Sequence, residues 1–310
     1  MSQQEIIKWQ KPMTKVLYAL LPVVLASIYF FGWRSLVMLL ISNIIAFICE
    51  YVFARYYKNQ VTSSVFVTGT LFALTLPPNL PYWMGAIGIA FGVIFGKMVF
   101  GGFGKNIFNP AIAGRAFIYV NFTTFMNGTV WYKPISGILG GFTEYGVDAV
   151  TGATPIAVMK TGSSIPLLEL LLGNTSGCFG ETSAVLIILA GIYLLCSKLA
   201  NYRLVIGCLI AFLILQAVLF YSGVPGTIPP LQALLSGGFL FGLVYMVTEP
   251  VSSAKTNIGR WIYAGLIGAL TVIIRTFSFW PEGMMFAILL GNMFAPLIDH
   301  FVQACKGGNK

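Results

Sequence analysis

Along the chain, apolar runs of roughly twenty residues alternate with short polar segments rich in Lys, Arg, Asn, Gly and Pro. A helix needs roughly 17–25 apolar residues to cross a bilayer. Read against the breakers, the runs predict ten spans near 16–32, 35–54, 62–77, 82–100, 107–125, 182–198, 203–222, 231–248, 259–277 and 283–303. The third and fifth are short and interrupted by Pro and Gly, which predicts partial or tilted helices. The longest gap, residues 126–181, leaves five spans on either side. The expected fold is an all-α polytopic membrane protein, one membrane domain over residues 1–310. It has a first repeat near 16–125, an outer segment near 126–181 and a second repeat near 182–303.

Composition and charge sharpen this picture. Of the 310 residues, 57% are hydrophobic and 9% charged, against about 25% charged in a soluble domain. The net charge of +9 does not mark a nucleic-acid binder, because Lys and Arg fall singly between apolar blocks. They report topology instead. With the N-terminus in the cytoplasm, thirteen of the 18 lie on cytoplasmic segments, four (Arg34, Lys133, Lys160 and Arg275) lie outside, and Arg115 lies within a span. Cytoplasmic loops are enriched in Lys and Arg, so both termini are expected inside and residues 126–181 outside. The polar, basic start "MSQQEIIKWQKPMTKV", followed by many apolar blocks, is expected to need no cleaved signal peptide. The five cysteines form no CxxC, and His300 stands alone near the C-terminus. No zinc site, cluster held by this chain alone or disulfide framework is expected, and His300 reads as a solvated membrane-edge residue.

An internal repeat is faint but has architecture. "LFALTLPPNLP" resembles "LVYMVTEPVSS", aligning Thr75 with Thr248 and Pro77 with Pro250. Each is followed by a glycine-spaced helix and then by a segment rich in Gly, Asn and Pro. Five spans on each side of an outer loop give the halves opposite orientation, and inverted repeats place sites at interrupted helices.

Polar residues within spans are costly in hydrocarbon. Asn106 and Asn109 in "KNIFNPAIAGRAF" are spaced to share a helical face. They serve either a ligand or the backbone gap left by Pro110. Glu249 reads as an ion ligand or a helix-edge acid. Glu181 is placed to open the sixth span, where an acid suits a helix N-terminus. No acid lies deep enough in a span to nominate a coupling site. "VFGGFGKN" fails the phosphate-loop pattern at Val99 and Asn106, and its glycines are expected to serve close helix packing.

The outer segment contains "DAVTGATPIAVM" from Asp148 to Met159. A threonine hydroxyl needs a base or metal to act as a nucleophile, and this stretch offers one acid and no histidine. Two readings stay open: a turn of small residues, or an acceptor hydroxyl that a separate enzyme modifies. Gly152 and Ala153 expose the backbone beside Thr154, and Pro155 stops any helix entering from the N-terminal side.

"DAVTGATP" resembles the motif read by extracytoplasmic flavin transferases, roughly D-x-x-S/T-G-A-T. "NIFNPAIAGRAF" and "GNTSGCFGETSA" resemble further blocks of the family formed by the B subunit of the sodium-pumping NADH:quinone reductase (Nqr) and the D subunit of the Rnf complex. The resemblance runs through nearly the whole chain. The Rnf D subunit is the better match, because only about fifteen residues precede the first span. The resemblance implies FMN joined through its phosphate to Thr154, with Asp148, Thr151, Gly152 and Ala153 completing the motif. It implies two inverted five-helix repeats of urea-channel-like fold. It also implies a second, noncovalent flavin, riboflavin, in the region of Asn106 and Asn109. Electrons would pass between ferredoxin and NAD branches, coupled to Na+ or H+ movement in a prokaryotic cell membrane. The implied partners are the Rnf A, B, C, E and G subunits, with G outside and C on the cytoplasmic side, a flavin transferase, and membrane lipid. Lys160 or Lys133 would partly offset the phosphodiester charge. The competing reading is a solute channel or secondary transporter of the same fold, in which the outer "TGAT" has no role.

Overall fold

The structure is a computed structural model that describes residues 6–126, 131–135, 137–147, 152–181, 183–278 and 282–307. Its helices follow the predicted spans to within a few residues. Among the described residues five are long and apolar enough to cross a membrane, and three shorter ones are also apolar. The protein is therefore a multi-pass, all-α membrane protein. The residues group into two compact units. The first comprises Met1–Asn106, Pro110–Gly152 and Cys178–Gly180. The second comprises Ile107–Asn109, Ala153–Gly177 and Glu181–Lys310.

In the first unit, β1 (Ile7–Lys8) leads into α1 (Lys11–Phe31) and α2 (Trp33–Tyr56). Strand β2 (Val61–Thr62) pairs with β1 in parallel, Ile7 opposite Val61. Then come α3 (Ser64–Leu74), α4 (Tyr82–Val93) with a π-helical turn at Ile94–Met98, α5 (Pro110–Asn121) and the single turn α6 (Thr123–Met126). Pro12 starts α1 where its missing N–H has no cost. Gly32 joins α1 to α2 at φ 79, and a side chain there would meet the Glu144 carbonyl at 2.6 Å. The chain that crowds Gly32 also satisfies α2: Trp33 N donates to Glu144 O at 3.1 Å and Arg34 N to Tyr145 O at 2.7 Å. Helices α4 and α5 touch backbone to backbone. A Cβ on Gly92 would collide with Pro110 O, and one on Gly114 would lie 2.5 Å from Gly88 O.

The α3 helix stops short, as expected, and carbonyls at its end and in the segment after it find partners. Thr75 Oγ1 donates to Phe72 O at 2.6 Å. The Arg34 guanidinium reaches across to Pro78 O at 2.8 Å and Leu80 O at 3.1 Å. Inside a bilayer such interrupted backbone is tolerated only when satisfied in this way.

The second unit holds two short helices, α7 (Pro155–Lys160) and α8 (Leu167–Leu172), then α9 (Ala184–Cys196) and α10 (Tyr202–Tyr221). The eighth span is broken into α11 (Pro230–Leu235) and α12 (Phe239–Phe241), the latter running into a π-helical turn at Gly242–Met246. Helices α13 (Asn257–Phe277) and α14 (Met284–Gly307) complete it. Gly268 lets α13 lie against the α10 backbone at Cys208 and Phe212. Thr248 Oγ1 donates to Val244 O at 2.6 Å, so Thr75 and Thr248, aligned in the sequence, each end a short helix by bonding back to it.

One expectation fails for the "VFGGFGKN" glycines. Gly101, Gly102 and Gly104 do not pack helices. They take φ values of 105, 91 and 85 in the turn after Met98, a left-handed region that disfavours side chains.

Candidate functional site

Thr154 closes an extended stretch and opens α7. Its φ and ψ are −63 and 153, and its Oγ1 accepts the Ala157 N–H at 3.3 Å. Threonine is a natural cap for this geometry, and Pro155 follows at the position that favours proline. Thr154 is 9% exposed, whereas Ala153 before it is exposed and Gly152 is half-buried. Gly152 N donates to Trp131 O at 2.7 Å. Asp148 and Thr151 lie outside the described residues. A threonine hydroxyl needs a base or metal to act as a nucleophile, and the Thr154 hydroxyl is engaged with the Ala157 N–H.

What holds α7 in the second unit is the break between α11 and α12. Ile156, buried, lies against Gly237, where an added Cβ would stand 2.8 Å from Ile156 Cδ1. Gly237 takes φ 66 there. The freed carbonyls of α11 are met by Arg275 from α13: Nη1 donates to Ala233 O at 2.9 Å and Nη2 to Ser236 O at 3.3 Å. The guanidinium also lies over the rings of Phe212 and Phe239, 5.6 and 5.9 Å from their centroids. Lys160, at the far end of α7, donates to Arg275 O. Thus one residue ties the helix break to the helix that Thr154 opens.

The electrostatics around α7 differ from the simple expectation. Lys160 is half-buried, and burial, followed by the Arg275 charge, depresses its pKa from 10.5. Its amine is already committed to the Arg275 carbonyl, which limits it as a counter-charge; Lys133 is exposed. Glu181 does not open the sixth span. Ser183 caps α9, accepting Leu186 N, and Glu181 lies ahead of it against Gly238, where a Cβ would stand 2.7 Å from Oε1. The Glu181 and Glu282 carboxylates both act on Arg275. Glu249 sits after the π-helical turn and accepts Ser252 Oγ at 2.7 Å, a helix-edge arrangement.

Asn106 and Asn109 are buried, but they share no helical face. Helix α5 starts at Pro110, so both precede it in irregular backbone. A proline disfavours helical geometry in the residue before it, and the three-residue spacing therefore has no helical meaning. Arg115 is buried within α5 and donates to Cys178 Sγ at 3.4 Å.

A buried acid does lie near the end of a span. In the first unit, Glu50 of α2 pairs with Lys97 of the π-helical turn at 2.6 Å, and the side chains are 3% and 2% exposed. Glu50 Oε1 accepts from Thr62 N at 3.0 Å and Thr62 Oγ1 at 2.7 Å, and Lys97 Nζ donates to Ser64 Oγ at 2.8 Å. A cavity of about 440 Å3, lined also by Lys8, Lys58 and Gln60, reaches Glu50. The sequence signal was a Lys inside the predicted span 82–100, which the charge count places on the cytoplasmic side.

Comparison with known proteins bears on this arrangement. A profile described as "NQR2, RnfD, RnfE family" matches residues 3–308. The B subunit of the Na+-translocating NADH-quinone reductase of Ectopseudomonas mendocina is 41% identical over 268 residues. The proteins of that name from Azotobacter vinelandii and Pseudomonas paraeruginosa are each 40% identical, over 266 and 260 residues. Each match covers 82% of this chain and 63% of the relative, so the chain spans 63% of the length of these relatives.

Proposed function

The chain belongs to the NQR2, RnfD, RnfE family, and we propose that it is the membrane-embedded flavin carrier of an ion-translocating oxidoreductase complex. The observation that supports this most directly is Thr154. Its hydroxyl sits in the motif "DAVTGAT", opens a short helix, and has no catalytic neighbour among the described residues. That donor set fits an FMN phosphoester installed by a separate transferase. An ester oxygen would still accept the Ala157 N–H, and the flanking Gly152 and Ala153 are small, with Ala153 exposed.

The flavin supplies reversible electron uptake when bound; the chain supplies the tether, its spacing and its field. Thr154 fixes the attachment point, and Ile156, Lys160 and Arg275 hold α7 against the broken eighth span. Asn106 and Asn109 mark the region proposed for a second, noncovalent riboflavin, on the strength of the "NIFNPAIAGRAF" block. The Lys and Arg bias supports cytoplasmic termini in a prokaryotic cell membrane and an outer Thr154.

Two redox settings suit this carrier. One is the Rnf D role between ferredoxin and NAD, with the other Rnf subunits as partners. The names of the relatives favour a role like that of the B subunit in a Na+-translocating NADH-quinone reductase. The acceptor reduced by the purified complex, NAD or quinone, decides between them. A solute channel without redox role is disfavoured, because the outer motif would be idle.

The test is attachment. After coexpression with a flavin transferase, the denatured full chain is expected to keep flavin fluorescence on a gel, and the peptide bearing Thr154 to carry the FMN mass. Thr154→Ala is expected to lose both. An unmodified Thr154 peptide overturns the carrier reading; fluorescence retained by Thr154→Ala overturns the site.

A further inference from the structure

We propose that a cavity at the ends of three helices in the second unit binds the phosphate headgroup of an anionic phospholipid. The cavity measures about 550 Å3, and Lys198, Asn201, Tyr202, Thr248, Ser253 and Arg260 are among its lining residues. That volume is typical of a small-ligand site. Two cations line it and no carboxylate does.

Both cations are available. Among the described residues neither Lys198 nor Arg260 forms an ion pair. The nearby acids are committed elsewhere: Glu249 accepts Ser252 Oγ, and Asp299 accepts Lys255 N and Thr256 N. Arg260 is half-buried, and its Nε donates to Ala254 O at 3.3 Å, which fixes the guanidinium plane. Guanidinium groups match phosphate geometry well, and an ammonium adds a point charge.

The location selects a lipid over a soluble phosphate. Helix α9 ends at Cys196, α10 begins at Tyr202 and α13 begins at Asn257, so the cavity lies where three apolar helices have one end. Tyr193, Tyr202 and Trp261 are exposed around it, as in an interfacial aromatic belt. Exposed Leu189, Ile206 and Ile262 extend the same helices into the apolar zone, where acyl chains would lie. Basic pockets between helix ends are suited to acidic headgroups, at roughly 1 kcal/mol per Lys or Arg, or about five-fold in affinity.

Native mass spectrometry of the full chain in detergent, titrated with phosphatidylglycerol or phosphatidylcholine, tests the site. Phosphatidylglycerol is expected to be retained more strongly. Lys198→Gln is expected to weaken it about five-fold, and Lys198→Gln with Arg260→Gln about 25-fold, the effect of two charges. Lys15→Gln, at an exposed basic residue of the first unit that lines neither cavity, is expected to change nothing. Equal retention of the two lipids, or retention unaffected by the substitutions, overturns the proposal. Competition by soluble glycerol phosphate at lipid-like concentrations overturns the lipid in favour of a free phosphate ligand. Should the double variant fail to fold, the exposed Lys198→Gln carries the test alone.

Discussion

Glu50 and Lys97 face a low-dielectric environment in which an unpaired charge is very costly. Removing one partner of a buried pair strands the other and typically costs about 3–5 kcal/mol, whereas replacing both by apolar residues is often neutral. Glu50→Ala is therefore expected to lower thermal stability in detergent strongly, and Glu50→Leu with Lys97→Met to recover most of the loss. A double variant as unstable as the single one would mean that the Thr62 and Ser64 hydroxyls, left without partners, dominate instead. The residue scale also shows what a sequence reveals. The motif around Thr154 stands out in the sequence because it is contiguous. The Glu50–Lys97 pair does not, because its members stand 47 residues apart and only the fold brings them together. Asn106 and Asn109 were misread because a spacing rule was applied where Pro110 prevents a helix.

Helices α4 and α5 depend on missing side chains. A Cβ at Gly92 would meet Pro110 and Gly114 backbone, which cannot rotate away. Overpacking of this kind costs about 1–3 kcal/mol. Gly265 of α13 has nothing within 4 Å of an added Cβ, and alanine there gains up to about 1 kcal/mol of helix propensity. Gly92→Ala is expected to melt earlier than the parent and Gly265→Ala at the same temperature or later. Equal shifts would deny the close approach. At this scale the spans themselves were legible, since hydropathy sets them directly. The break at Ser236–Gly238 was hidden because apolar residues continue on both sides. Nor does sequence order show that Arg275, from a later helix, satisfies the carbonyls the break releases. An interruption inside a bilayer depends on such a distant donor, and hydropathy carries no record of it.

At the scale of the whole molecule, the flavin reading and the membrane orientation stand or fall together. A transferase working outside the cytoplasm can reach Thr154 only if residues 126–181 are outside. An even number of spans then puts both termini on the opposite face, where most Lys and Arg lie. Two exposed positions report on the two faces: Lys133 in the outer segment and Cys305 near the C-terminus. With the half-buried Cys49 and the exposed Cys196 both changed to Ser in both proteins, and Cys305→Ser added to the Lys133→Cys variant, each offers one accessible thiol. The buried Cys178 and Cys208 should stay silent in the folded protein. A membrane-impermeant maleimide applied to spheroplasts is expected to label the Lys133→Cys protein at once, and Cys305 only after permeabilisation. The reverse pattern would place Thr154 in the cytoplasm and remove the route to its flavin. Labelling of both from outside would require an even number of crossings between them, so either the short helix α9 or the broken eighth span would fail to cross. The positive-inside bias and the attachment chemistry thus make one joint prediction, and thiol accessibility tests it without any measurement of redox activity.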